Sequence, residues 1–359
     1  MNLDLQKIMR NLYWLPFIQY IAYQVSYITA TVLLVTTVFI IFIGNGINRY
    51  SEAMFGAMIY GTAYRPFVYR ALLPSIVRLV IILLPPNVRT IIIHSSLRFP
   101  NWESDLLTEY IIACIFMLVS LIGFCFALKY LFKGLFEAPK ILADVVSSVA
   151  LAGLPIFMKS YPSYIYDFPT LFLFTLGLGL MVHRKWQVFV LVFLLACFNK
   201  ETTILLTLIF IIYFFNRWTL ITPKRFFQLI SLQLIIFVLT RVYITWSFRN
   251  NPGSSLEFHL FDHNINLLLS SYTLPNFVSI LGITMLVFHQ WAEKPIFLRC
   301  SISILVPLLG MTFFFGYLDE LRDYYEVYPI IFLLIFQTVG NILGAKFIPL
   351  TMSTRYPKV

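Results

Sequence analysis

The sequence predicts an all-α, polytopic bundle of transmembrane helices. Three observations carry that expectation: a mean hydropathy of +0.84 with 60% hydrophobic and 18% aromatic residues, about ten apolar runs near the length of a membrane span, and Lys and Arg that alternate between successive connecting segments. Such a composition lies far outside that of soluble domains. The 359 residues read as one membrane domain, 1–359, with no polar block large enough for a separate soluble domain.

A helix needs about 20 mostly apolar residues to cross the hydrocarbon. On that ruler the spans fall at 25–44, 107–127, 141–158, 168–182, 186–198, 202–215, 226–246, 274–290, 297–315 and 328–344. The fifth and sixth are short and meet at Asn199-Lys200-Glu201. They form either two full spans in a tight hairpin or two helices whose junction dips below the headgroups, where protein or water must satisfy the backbone. Residues 71–84 are also apolar, but the run is short, carries Arg78 and stops at Pro85-Pro86. It reads as an interfacial or re-entrant helix within a long first outer loop, 45–106, and that choice sets the parity of every later loop.

Lys and Arg orient the bundle. With the N-terminus cytoplasmic, the inner segments hold Lys7 and Arg10; Lys129, Lys133 and Lys140; Arg184 and Lys185; Arg217, Lys224 and Arg225; Lys294 and Arg299; and Lys346, Arg355 and Lys358. The short outer loops hold only Lys159, Lys200, Arg249 and Arg322. Both termini are then cytoplasmic, and the expected location is the plasma (inner) membrane. The long first outer loop, with Arg49, Arg65, Arg70, Arg78, Arg89 and Arg98, departs from the pattern; long loops translocate largely regardless of charge. Most of the sixteen carboxylates fall on the outer side, so the working face is expected to be exoplasmic.

Several classes are excluded or disfavoured on the way. The net charge of +10 belongs to cytoplasmic loops beside an anionic leaflet rather than to nucleic-acid binding. Cys114, Cys125, Cys197 and Cys300 lie singly in apolar runs without CxxC spacing and read as small packing residues. The N-terminal region has no short apolar core followed by a small-residue cleavage site, so the first run is expected to be a retained span. No internal repeat or Gly-rich phosphate loop marks an ATP-driven machine. Nor are there inverted repeats with matching broken helices.

The polar clusters stand out against a charged fraction of only 12%. In Tyr64-Arg65-Pro66-Phe67-Val68-Tyr69-Arg70, two Arg five apart precede the interfacial helix. Forked guanidinium donors beside a helix N-terminus suit a phosphate, and snorkelling anchors are the competing reading. Glu52 is the only carboxylate between the first span and this segment, a candidate general base for a sugar hydroxyl or a solvated loop residue. Asp167, among Tyr161, Tyr164 and Tyr166, suits a hydroxyl-rich ligand, or caps the helix that follows. Lys200 and Glu201 read as a self-neutralising pair or a phosphate contact. His259 and His263, at i and i+4 beside Asp262, have metal-ligand spacing but lack the glutamate of His-Glu-x-x-His. Between two apolar runs, residues 319–326 pack five charges into eight positions. As a helix this segment would put Asp319, Arg322, Asp323 and Glu326 on one stripe, either as a salt-bridged cap or with Glu320 and Arg322 reaching a polar substrate.

Taken together, a cytoplasmic N-terminus, one span, a long polar outer loop with an interfacial helix, and many spans with polar exoplasmic loops resemble the GT-C class of multi-span membrane glycosyltransferases. The resemblance covers most of the chain as architecture. It implies a polyprenyl-phosphate-linked sugar as donor and an acidic residue soon after the first span as catalytic base, here Glu52. It also implies basic residues around the lipid phosphate, for which Arg65, Arg70, Lys200 and Arg322 are candidates. Asp167, Glu320 and the tyrosine-rich mouths would hold the sugar. The chain departs from the family in having no Asp-Asp or Asp-x-Asp after Gly44, so no cofactor is expected and a divalent metal has no evident ligands. The expected partners are the donor and membrane lipids, without nucleic acid. The alternatives are a transporter or flippase for a polar lipid, and a glycan polymerase or ligase.

Overall fold

A computed structural model describes residues 2–94, 102–158, 161–271 and 273–350, with side chains from residue 18 onward. Arg98, Lys159, Arg355 and Lys358 lie outside the described residues, as do the side chains of Lys7 and Arg10. The fold is 76% helical. Its helices are α1 (Asn2–Gly44), α2 (Phe55–Tyr60), α3 (Leu72–Leu83), α4 (Pro86–Ile93), α5 (Leu107–Leu135), α6 (Lys140–Gly153), α7 (Asp167–Val182), α8 (Trp186–Asn199), α9 (Ile204–Phe214), α10 (Pro223–Ser247), α11 (Ile265–Ser270), α12 (Leu274–Phe288), α13 (Ile296–Ser301), α14 (Leu305–Phe315) and α15 (Tyr328–Ile342).

Among the described residues, five stretches are long and apolar enough to cross a membrane: Ile18–Gly44, Ser104–Leu135, Lys140–Met158, Pro223–Ser247 and Ile296–Phe315. Two bent pairs raise the number to seven if each counts as one span, α3 with α4 at 113° and Leu260–Ser270 with α12 at 95°. That is fewer than the ten apolar runs of the sequence. The runs at 168–182, 186–198, 202–215 and 328–344 correspond to helices of 10–17 residues, shorter than an isolated span requires. The packing explains why the first of these runs is so uniformly apolar. α7 is buried along almost its whole length, between α5, α8 and α9, and a helix that is apolar all round belongs in an interior. Close approach is needed there: a Cβ on Gly179 would sit 2.8 Å from the Tyr130 ring.

By contrast, α10 and α12 expose broad apolar faces, with Val238, Leu239, Val242, Phe277 and Val278 each more than half exposed. In a bilayer such faces meet lipid. α3, at 12 residues, is about 18 Å long, too short to cross about 30 Å of hydrocarbon alone. Its Leu73, Pro74 and Val77 are buried against neighbours in α2, α5 and α8. Arg78 in α3 donates through Nη1 to the Ile59 carbonyl (2.6 Å) and through Nη2 to Ser75 Oγ (3.1 Å), which fixes the helix to the end of α2.

The connecting segments gather at two ends. At one, the Asn48 side chain donates to the Ala53 carbonyl (3.0 Å) and accepts from the Ile165 N–H (3.0 Å). Nearby, Asn251 donates to the carbonyls of Gly61 (2.8 Å) and Ala63 (2.9 Å), and Asn264 bridges Phe313, Gly316 and Leu318. At the other end a short antiparallel ribbon pairs β1 (Phe136–Glu137) with β2 (Ile348–Pro349), Leu350 N–H donates to the Leu135 carbonyl (2.9 Å), and Arg184 donates to the Leu220 carbonyl (3.3 Å). These two groups are those the Lys and Arg alternation separates in the sequence.

Candidate functional site

A cavity of about 330 Å³ opens at the first end. Its walls come from Tyr50 after α1, the turn before α3, the turn before α7, the segment after α10 and the loop between α14 and α15. Six aromatic residues line it, Tyr50, Phe67, Tyr161, Tyr164, Phe315 and Tyr317, together with Arg70, Glu257, His259, His263, Glu320, Arg322 and Asp323.

Beneath the walls lies a connected ionic network. Arg70 Nη1 donates to Tyr166 Oη and Nη2 to Glu201 Oε1 (3.1 Å), while its guanidinium lies 4.5 Å from the Tyr166 ring centroid. Arg322 donates through Nε to Glu320 (2.6 Å) and pairs through Nη2 with the same oxygen. It also faces Asp167 Oδ1 at 3.6 Å and covers the Tyr164 ring at 3.7 Å. Asp167 accepts the Tyr164 N–H at 2.8 Å. Lys200 pairs with Glu326 (3.2 Å) and Asp323 (3.7 Å), and Thr202 donates to Glu326. Arg241, from α10, reaches Glu201 Oε2 at 3.9 Å and donates to the Cys197 carbonyl.

The electrostatics follow from this enclosure. Asp167, Lys200, Glu320, Arg322 and Glu326 are all buried, and buried charges persist only when paired. Burial pushes the Glu320 carboxyl up to about 7, against the pull of Arg322. Burial also raises the Glu257 carboxyl; its hydrogen bond with His259 opposes the shift and the nearby charge of Glu52 adds to it. The cavity therefore offers fixed cations beside one carboxyl, Glu320, able to exchange a proton near neutral pH.

Five of the seven residues singled out in the sequence meet in this one network: Arg70, Asp167, Lys200, Glu320 and Arg322. The other two stand apart. Arg65 turns away and donates through Nη2 to the Gly253 carbonyl (2.6 Å). Only glycine fits opposite it, because φ at Gly253 is +86° and a Cβ would lie 2.6 Å from the Arg65 carbonyl oxygen. Glu52 lines a neighbouring open depression of about 400 Å³, which shares Tyr50, Glu257 and His259 with the cavity.

The local pairings expected from sequence spacing give way to tertiary ones. Lys200 and Glu201 do not neutralise each other; backbone turning between them sends Lys200 to Asp323 and Glu326, and Glu201 to Arg70 and Arg241. The stripe from Asp319 to Glu326 does not form, because only Leu321–Tyr324 makes a tight 3-10 turn. Asp319 instead accepts from Tyr161 Oη (2.9 Å) and lies 2.8 Å from His263 Nε2. Asp167 makes no forward cap, since its carboxylate folds back on Tyr164. His259 faces Glu257 and Asp262, and His263 faces Asp319. Among the described residues no three His, Cys, Asp or Glu side chains are grouped to hold a metal ion.

Arg241 and Glu257 are the site residues that sequence reasoning missed. For Arg241 a signal exists: it stands alone in an apolar run, and ionisable residues within spans face interiors and partners. Glu257 carries none. Comparison of the chain with models of known families, with curated proteins and with solved structures finds no match.

Proposed function

We propose that the chain is a membrane glycosyltransferase that moves a sugar from a polyprenyl-phosphate donor to an acceptor at the exoplasmic face. The observation that supports this most directly is the cavity where tyrosine-rich walls, two guanidinium groups and the proton-exchanging Glu320 carboxyl meet. Aromatic faces suit sugar rings, and the Arg fork suits a phosphate. About 330 Å³ lies within the range of small-ligand sites. In this reading the ten apolar runs are ten spans, made of the five long helices, the four short ones and the bent pair ending in α12. The 113° pair of α3 and α4 is re-entrant. Both termini are cytoplasmic, and the site opens to the outer side of the plasma membrane.

In the proposed reaction an acceptor hydroxyl oxygen attacks the anomeric carbon of the donor. The bond from that carbon to the phosphate oxygen breaks, and polyprenyl phosphate leaves with the electron pair beside Arg70. The hydroxyl proton passes to Glu52, with Glu257 as the second acid at the rim shared by depression and cavity. Asp167 and Lys200 hold Arg322 and the 319–326 loop in place, so that Glu320 and Arg322 contact the sugar; Arg65 fixes the loop rim through Gly253.

Purified protein in nanodiscs, supplied with radiolabelled polyprenyl-phosphate hexose, should yield labelled product. Glu52→Gln should abolish transfer while donor binding persists, and Arg70→Ala should raise the KM for donor. Full transfer by Glu52→Gln with loss in Glu257→Gln would move the base to Glu257. Translocation of the labelled lipid across the bilayer without covalent change would replace transfer by lipid transport.

A further inference from the structure

We propose that the opposite end of the bundle carries a second site, for a phosphate group, with Arg217 and Arg299 as its ligands. The inference stands on its own geometry and does not rest on glycosyl transfer.

A cavity of about 610 Å³ lies there, between the end of α5, the segment after α9, the turn before α13, and Phe347 to Leu350. Leu135, Phe297 and Phe347 give it apolar walls, and Arg217, Lys294 and Arg299 line it. The cations here lack the partners seen at the other end. Arg217 donates back to the Tyr213 carbonyl in the last turn of α9, stacks 4.4 Å from the Tyr213 ring centroid, and among the described residues otherwise meets only Cys300 Sγ at 3.9 Å. A thiol is a weak acceptor. The Arg299 guanidinium makes no hydrogen bond or ion pair among the described residues, and its Nε is buried without a partner. Lys294 is buried and donates to the Leu334 carbonyl (2.8 Å) and Thr338 Oγ1 (2.5 Å). Glu293 stands exposed on the rim and pairs with none of these cations.

Guanidinium groups in a partly apolar enclosure, with Glu293 on the rim but no carboxylate paired to either Arg among the described residues, favour an anion that accepts several hydrogen bonds in a plane. Phosphate oxygens meet that description, and Arg binds them through its fork. Basic pockets between transmembrane helices take anionic lipid headgroups, and the same chemistry serves a free phosphate.

The test uses the full chain. Protein in phosphatidylcholine nanodiscs, with or without phosphatidylglycerol, is examined by native mass spectrometry for retained lipid, and in detergent by thermal shift against inorganic phosphate. Retained phosphatidylglycerol assigns the site to a headgroup; saturable stabilisation by inorganic phosphate without lipid retention assigns it to a free phosphate. In either case Arg217→Gln and Arg299→Gln should each weaken binding about tenfold or more, the loss expected of one charged hydrogen-bond fork. Arg217→Lys and Arg299→Lys keep the charge, guard against misfolding as the cause, and should give a smaller loss. Lys133→Gln, on the exposed surface of the same end, should leave binding unchanged. Equal binding by wild type and both Gln variants, or an equal loss in Lys133→Gln, would overturn the proposal. A Glu52→Gln chain should retain the ligand, which separates this outcome from any failure of sugar transfer.

Discussion

The two ends of the bundle handle buried cations in opposite ways. At the aromatic cavity Arg70, Lys200, Arg241 and Arg322 each lie within 3.9 Å of a carboxylate. At the other end, among the described residues, Arg217 and Lys294 meet carbonyls, a hydroxyl or a thiol, and Arg299 has no hydrogen-bond or ion-pair partner. The first arrangement sets four cations among five carboxylates and holds a shape. The second keeps its charge available. A closed set of pairs is costly to break from within, whereas an open set of donors loses little when one is removed.

The largest effect is expected from Arg322→Ala, which leaves Asp167 and Glu320 buried without their cation. Loss of one partner of a buried pair costs about 3–5 kcal/mol, so chemical unfolding of the purified variant should show a drop at the top of that range. Lys200→Met strands Glu326, whose side chain is fully buried, and should cost about 3 kcal/mol by the same measurement.

Acidity gives the next contrast. Between its ordinary value of 4.5 and about 7, Glu320 keeps its proton in the folded chain after the unfolded chain has released it. Its contribution to stability is therefore complete at low pH and is lost as pH rises through 7, at most about 1.4 kcal/mol per pH unit. Burial lowers Lys294 from 10.5 to about 8, so its contribution is present at high pH and lost as pH falls through 8. Unfolding followed across pH 5–10 should show both slopes, and Glu320→Gln should flatten only the acidic one. The smallest effect belongs to Lys294→Met. It strands no carboxylate and should stay within about 1 kcal/mol of wild type; a loss as large as that of Lys200→Met would erase the distinction between the ends.

The apolar runs and their grouping of loops are legible in the sequence because hydrocarbon thickness and charge sidedness act on composition alone. Arg70, Asp167, Lys200, Glu320 and Arg322 are legible as polar positions in an apolar chain. Their pairings are not. Lys200 meets Glu326 rather than adjacent Glu201, and that choice depends on how α8, α9 and the 319–326 loop pack. α7 is buried in protein yet reads like a lipid-facing run, because burial in protein and burial in lipid select the same side chains. Glu52 and Arg65 belong to the same loop as Arg70, yet loop curvature, invisible to spacing, turns them onto other surfaces.

The β1–β2 ribbon ties together stretches that a ribosome makes far apart in time. Phe347, Pro349 and Leu350 form part of the basic cavity, so a nascent chain halted at α14 would display Arg217 and Arg299 on an unfinished surface. Completion of this end is a late event in biogenesis, and a chain cut before residue 340 should insert into the bilayer yet never enclose that pocket.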